Sequence, residues 1–561
     1  MPKDLVLDRL NWRFSIFDLF SIHALIVTDS LDASFGPAQG NASQPFSLQE
    51  LVRALTHPAG GGPWIKVTKA HRELDPNGSG SGPTRVTPAD IENFQFTASS
   101  LAPYHQVWLI GVDDFGMLPE PEVRALMHFM NAGGGVFATG DHADLGVTLS
   151  GGVPRLRSMR KWFLSGGPHG EPAAPDPLSA NRLDTTRAHP ANQFPFDNQS
   201  DDIPMTVRPT WYPWGLFRYP HPLLCGHHGV ISVMPDHMHE GEVITPDGSD
   251  STSGWSGDGV PGGLGSTLTV NGEAFVEYPS LNGHQERPVI VSQADVIGGH
   301  TTPSTEYHTG SSTPVNARSF ANIGAYDGLR VGVGRVVVDS TWHHFFDINL
   351  IGDPAAPAPK NLGFNATAAG QATLAKIDNY FVNIAAWLSP GRGYFLLGGV
   401  LAAMRSADAA ELMPMFRNAR PAEDLLRAGE FLYGGLRRYL PPCAVLNLVL
   451  NEYYAMQPIY KLPDPPDPWK QRANEVDPAL RAVDPTGWAV AALGGMAAEL
   501  YGALHREEKL ELKHAHETLQ RGLLKGLSAF AHRNATQARN ALKAAEQMLE
   551  HLDVDERRSA R

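Results

Sequence analysis

The stretch Gly133–Gly146, GGGVFATGDHADLG, carries the reading of the fold. Val136–Thr139 (VFAT) is a short apolar run between a glycine-rich entry and a polar exit, the pattern of a fully buried strand. The exit turn puts Asp141, His142 and Asp144 within four residues, and its glycines let the backbone bend tightly beneath them. Upstream, Pro119–Asn131 has its apolar residues on one helical face, and Gln106–Val112 (QVWLIGV) reads as a strand ending in Asp113 and Asp114. Further back, Trp64–Thr68 (WIKVT) and His23–Thr28 (HALIVT), the latter ending in Asp29, read as two more strands. Between them Ser47–Thr56 has helical spacing, with Ser47 and Glu50 in a capping-box pattern. Far downstream, Gly334–Asp339 (GRVVVD) is a strong strand signal, followed by a helix over Gln371–Leu388. Strands alternating with helices predict an α/β parallel sheet with right-handed crossovers.

Two regions depart from that rhythm. Residues 150–315 are rich in Pro, Gly, Ser and His and read as a long loop-rich insertion over one end of the sheet. Beyond Gly391, Ala, Leu, Met and Glu dominate, and residues 391–561 read as an all-α C-terminal domain. Within it Trp488–Leu504 is a buried helix, Leu462–Trp469 is a proline-stiffened connector, and residues 505–552 have helical spacing broken at Gly522 and Gly526. The expected domains are therefore 1–390 and 391–561.

Composition bounds the function classes. The chain has 561 residues, 42% hydrophobic and 19% charged, an ordinary globular balance. Lys+Arg 45 against Asp+Glu 59 leaves a net charge of −14, which disfavours a phosphate backbone and argues against nucleic acid as a partner. The N-terminus lacks an apolar signal region, and no apolar stretch reaches the roughly 20 residues of a membrane span. Cys225 and Cys443 form no CxxC pair and no disulfide framework, a pattern that fits a reducing compartment. The expectation is a cytoplasmic protein with no membrane association.

Histidine is distributed unevenly. Of 23 histidines, ten lie from His221 to His344 and none between His344 and His505, which places any chemistry in the first two-thirds of the chain. In an open parallel sheet, ligands bind beyond the carboxyl ends of the strands. Here those ends carry Asp29, Asp113 with Asp114, the GDHADLG turn, and DSTWHHFFD (Asp339–Asp347). The insertion adds CGHHG (Cys225–Gly229) and PDHMHEGE (Pro235–Glu242); His237 and His239, two apart, share a face of an extended chain. Asp and neutral His are ordinary ligands of zinc and related ions. A helix start, with Asp141 as N-cap and Asp144 favouring the helix dipole, is the plainer reading of the turn. A packed or surface His pair, and a polar lid, are the plainer readings of the other two segments.

With the turn in view, the first domain resembles the class I glutamine amidotransferase-like superfamily, nearest its trehalose-utilisation-type (ThuA-like) branch. The likeness rests on the opening strand with Asp29, QVWLIGV and its helix, GGGVFATGDH, GRVVVDSTWHHF, and a closing helix ending in AAWL. It covers about residues 15–150 and 320–390. It implies a flavodoxin-like sheet with helices on both faces. It also implies that His343 or His344 stands where the family keeps a catalytic histidine, close to Asp141 and His142. The family's nucleophilic cysteine is absent, since the turn carries Gly140 and Asp141, so glutaminase chemistry is not expected.

The leading expectation is a metal-dependent hydrolase. One or two divalent ions, zinc first, would be held by His142, Asp144, His237, His239 and one of His343 and His344. Asp141 or Glu240 would serve as general base, with His344 also a catalytic candidate. Asp29, Asp113, Asp114 and Trp342 would line the pocket of a neutral or cationic small-molecule substrate, an amide or a sugar derivative. The rivals are a non-enzymatic binding or assembly protein with a degenerate site, and a metal-free hydrolase using Cys225 beside His227 and His228. The helical domain offers a surface for a homo-oligomer.

Overall fold

The computed structural model describes residues 6–8, 21–29, 33–36, 46–58, 65–72, 89–113, 116–141, 144–160, 193–195, 204–227, 229–235, 241–245, 264–265, 267–296, 299–302, 314–315, 317–352, 354, 361–389, 394–406, 422–460, 462–469, 483–506 and 509–559. The chain divides into two compact units: residues 21–391 with 439–444, and residues 1–20 with 392–438 and 445–561.

The first unit is built on a nine-stranded sheet. Its strands in chain order are β1 (Ile22–Thr28), β2 (Ile65–His71), β3 (Gln106–Ile110), β4 (Gly135–Ala138), β5 (Pro204–Pro209), β6 (Val233–Pro235), β7 (Val289–Val296), β8 (Arg318–Tyr326) and β9 (Val336–Asp339). In space they run β6-β5-β7-β8-β9-β4-β3-β1-β2. The five strands from β9 to β2 are mutually parallel. Numbered by their own chain order, these five lie 2-1-3-4-5. The near-continuous burial of β1, β3, β4 and β9 suits a parallel sheet covered on both faces, while β2 at the edge is only partly buried.

Alternate residues of these strands build two cores. Val27, Leu109, Ala138 and Val338 belong to a cluster with Val123, Leu126, Met127 and Met130 of helix α2 (Glu120–Asn131). On the other face, Trp108 and Phe137 stack 4.8 Å apart, Phe137 meets Phe345, and Phe345 meets Phe381 of helix α3 (Ala368–Leu388). The α3 carbonyl of Ala385 accepts from Gln106 Nε2. Helix α1 spans Gln49–Thr56. The capping box expected there does not form, because Glu50 turns to Arg53 and Leu48 is the N-cap residue. The amide of Glu50 is instead met by Asp347, from a turn 297 residues away, which also accepts from Ser47 Oγ. Burial raises the Asp347 carboxyl to about 7, against the pull of the Glu50 amide and the Ser47 hydroxyl.

The insertion is more than loop. Its strands β5, β6 and β7, with β8, add an antiparallel wing to the parallel half. Val289–Val296 does not announce itself as a strand, because polar Gln293 and Asp295 point to solvent and its place is fixed by pairing along both edges.

The second unit is predominantly helical: α4 (Tyr394–Ser406), α5 (Ala422–Leu436), α6 (Pro442–Tyr460), α7 (Pro485–Arg506) and α8 (Leu512–Ser559). Residues 442–444 of α6 belong to the first unit. The all-α expectation needs correction: Val6–Asp8 pairs antiparallel with Lys509–Glu511, which also places residues 1–20 here rather than with the α/β unit. Gly522 and Gly526 do not break α8. A Cβ at either would collide with or crowd the backbone of α7 at Gly495 and Ala491, so these glycines are the points where two helices touch.

The cysteine expectation also changes. Cys225 and Cys443 are joined in a disulfide within the first unit, with Cα atoms 6.0 Å apart across 218 residues of sequence. Neither is a free thiol, and disulfides are chemistry of oxidising surroundings more than of reducing ones.

Candidate functional site

The polar groups converge on the carboxyl edge of the parallel strands. Asp29 follows β1, Asp113 follows β3, Asp141 and Asp144 follow β4, and Asp339, Trp342, His343 and His344 end or follow β9. Trp342 N donates to the Gly140 carbonyl at 2.7 Å, tying the β9 exit to the β4 exit. That link brings His343 Nε2 to 3.5 Å from Asp141 Oδ2, both side chains almost wholly buried. The other ring nitrogen, Nδ1, lies 2.9 Å from Asn349 Oδ1. Nδ1 is thus engaged by the Asn349 side chain, and Nε2 faces the Asp141 carboxyl. Trp342 packs on the same imidazole with ring centroids 3.8 Å apart, and Phe46 closes edge-on.

His344 points elsewhere. Its Nδ1 pairs with Asp339 Oδ1 at 2.7 Å, and Tyr380 of α3 donates to Asp339 Oδ2 at 2.7 Å. All three are buried beneath the sheet edge. Of the two adjacent histidines, therefore, His343 meets Asp141 and His344 joins a separate polar cluster. Asp141 does not cap a helix; the next one, Val147–Ser150, begins after Gly146, whose φ of +92° is left-handed.

Asp29 forms the rim beside β3. Its Oδ1 accepts from Val112 N at 2.8 Å and Asp113 N at 3.4 Å. Burial, and then the Asp113 carboxylate, raise its carboxyl to about 8 against those backbone donors. Asp114, His142, His237, His239 and Glu240 lie outside the described residues.

Arg160, which sequence reasoning did not single out, is buried to 1% exposure at the centre of this edge. Its Nη1 donates to the Ser340 carbonyl at 3.0 Å. Burial lowers the guanidinium to about 10, opposed by Asp141, Asp144 and Asp339. A Cβ on Gly140 would lie 2.5 Å from the guanidinium carbon, so the first glycine of GDHADLG makes room for this cation. Gly241 does the same from the insertion. Its N donates to the Ser340 carbonyl at 3.1 Å, and a Cβ there would lie 2.7 Å from the Asp141 carbonyl. The chain that follows the histidine-rich segment of the insertion is therefore bonded to the β9 exit at Ser340 and packs close against Asp141. No sequence pattern announces Arg160 or Asn349; both are recognised only through their tertiary partners.

Two described donors, Asp141 Oδ2 and His343 Nε2, are close enough to share a cation, and the amide on Nδ1 is the usual outer support of a ligating histidine. Among the described residues no group of three or more His, Cys, Asp or Glu is arranged to hold a metal ion. Nor is any described helix long and apolar enough to cross a membrane. No protein-family model and no curated protein sequence matches the chain.

Proposed function

We propose that this chain is a metal-dependent hydrolase of small molecules, centred on Asp141 and His343. The observation that carries the reading is their meeting at 3.5 Å, with His343 Nδ1 held 2.9 Å from Asn349 Oδ1. That arrangement sets a nitrogen and a carboxylate side by side as candidate ligands for one divalent ion. Zinc is the first choice by ligand type, with Asp144 and, from the undescribed residues, His142, His237 and His239 to complete it. Such an ion supplies Lewis acidity and an activated water.

The chain's own residues do the rest. Asn349 fixes the imidazole, Trp342 covers it against bulk water, and Arg160 offsets part of the negative charge of Asp141, Asp144 and Asp339. The general base would be Glu240, in the undescribed segment, or the Asp141 oxygen that does not face His343. The acidic edge suits a neutral or cationic substrate, an amide or a sugar derivative, better than a polyanion. The 2-1-3-4-5 order of the parallel strands is that of flavodoxin-like sheets.

Metal content measured by plasma mass spectrometry on untagged protein tests this reading. Near-stoichiometric metal that falls away in an Asp141→Asn, His343→Ala double variant is expected. Folded wild-type protein that carries none, and takes up none on titration, rules it out. A ligand-binding protein without turnover is then the reading left, and the deep burial of Asp141, His343 and His344 favours it. The Cys225 nucleophile would require its bond to Cys443 to be reduced first.

A further inference from the structure

In a sheet ordered 2-1-3-4-5 the chain reverses direction between the first and third parallel strands, and the crevice at their carboxyl ends is the general place for a ligand. Here that crevice is flanked by Asp29 and the Val112–Asp113 backbone. The two carboxyl oxygens of Asp29 have unequal surroundings. Oδ1 accepts from the amides of Val112 and Asp113, and the residue's own amide also acts on the carboxyl, while no other residue among those described bonds to Oδ2, which is equally buried. A buried polar atom left unpaired is costly, so one that persists calls for an explanation beyond packing. Asp113 stands close enough to act on Asp29 electrostatically, and its charge and the burial both favour the protonated form of Asp29. With Oδ1 committed to accepting, the proton belongs on Oδ2, which is then a donor in want of an acceptor.

We propose that Asp29 Oδ2 donates a hydrogen bond to a carbonyl or hydroxyl oxygen of an uncharged ligand seated between the ends of β1 and β3. The nearby Asp113 carboxylate would repel a ligand carboxylate or phosphate, so the occupant is a neutral amide or polyol. This deepens the substrate class of the proposed hydrolase and rests on that reading only for the substrate's fate; the subsite itself needs no metal.

The test uses the full chain with a chelator present, so that its failure is separate from failure of the metal reading. The probes are acetamide, glucose and acetate. The readout is the amide proton and nitrogen resonances of Val112 and Asp113, which donate to Asp29 Oδ1. A saturable shift with acetamide or glucose, at least threefold larger than with acetate, is expected. It should survive in Asp29→Asn, which keeps a donor at the same place, and vanish in Asp29→Leu. No shift with either neutral probe overturns the subsite. So does an equal response to acetate, or a shift that persists in Asp29→Leu. Should Asp29→Leu not fold, the neutral-against-acetate comparison in wild type and Asp29→Asn still decides.

Discussion

Replacing Asp29 with Asn should remove a large part of the pH dependence of stability. The native carboxyl sits near 8, against an ordinary value of 3.8. Between those values the folded protein holds a proton that the unfolded chain has released. Stability then falls as pH rises, by about 1.4 kcal/mol per unit. The contribution is complete below pH 4 and lost by pH 8. Between pH 5 and pH 8 the loss amounts to about 4 kcal/mol from this residue. Asp347, raised to about 7 by burial, adds a slope of the same sign, and so does Asp378. The informative quantity is therefore the difference between wild type and Asp29→Asn, in which these cancel if the sites are independent. Asn keeps the oxygen that accepts from Val112 and Asp113 and cannot titrate. Urea unfolding at pH 5, 6, 7 and 8, followed by tryptophan fluorescence and by circular dichroism, measures it; two probes are needed because two units need not unfold together. The variant should gain on wild type steadily, by about 4 kcal/mol over the range. A difference that stays flat with pH would refute both the protonated state and the burial argument behind it.

Three further outcomes are expected. Asn349→Leu, which removes the acceptor on His343 Nδ1, should weaken metal retention about 10–100-fold without unfolding the chain, read by competition with a chromogenic chelator; unchanged affinity would remove His343 from the ligand set. Cys443→Ser opens a loop of 218 residues, and chain entropy puts the loss at about 5 kcal/mol; reductant should destabilise the wild type by the same amount and leave the variant unaffected. Gly526→Ala raises helix propensity by about 1 kcal/mol, yet its methyl meets the Ala491 carbonyl, and overpacking of about 1–3 kcal/mol should prevail. Faster amide exchange in α7 and α8 is the expected sign, and a stabilised α8 would contradict the contact.

The central strands of the parallel half were legible because they are buried on both faces. Runs such as HALIVT, QVWLIGV and VFAT are apolar throughout and end at polar turns, so their position and their edge could be read together. Helix α2 was equally plain, presenting an apolar stripe, and α3 was plain for a different reason, being buried all round over Tyr380–Leu388. The antiparallel wing was not. Pro204–Pro209 and Val289–Val296 mix Arg, Gln, Asp and Pro into strands whose partners come from distant segments, so their identity as strands is fixed by pairing rather than by local pattern. The cap of α1 failed for a similar reason. Local spacing offered Glu50, but a buried carboxylate from Asp347 met the helix end and left Glu50 for Arg53. Gly522 and Gly526 were misread because propensity describes a solitary helix, and these two serve a pair.

The candidate site shows how far a one-dimensional reading reaches. Strand ends are local features, and the order of residues alone suffices to assign their acidic and imidazole groups to one edge. It does not suffice to say which of two adjacent histidines turns toward Asp141, because a turn of three residues after β9 redirects both side chains. The choice is made by Asn349 on one side and by Asp339 with Tyr380 on the other, groups that have no conspicuous spacing to the histidines they hold. Arg160 is the strongest case. In sequence it is one of three arginines in a short basic run; two of them, Arg155 and Arg157, meet Glu277. Only Arg160 passes between Gly140 and Gly241 to reach the acidic edge, and both glycines are there because a side chain on either would occupy its path. The glycine that marks the β4 turn in the sequence is therefore conditioned as much by the cation it admits as by the bend it permits. Gly140→Ala should on this account disturb the Arg160–Ser340 contact before it disturbs β4 itself.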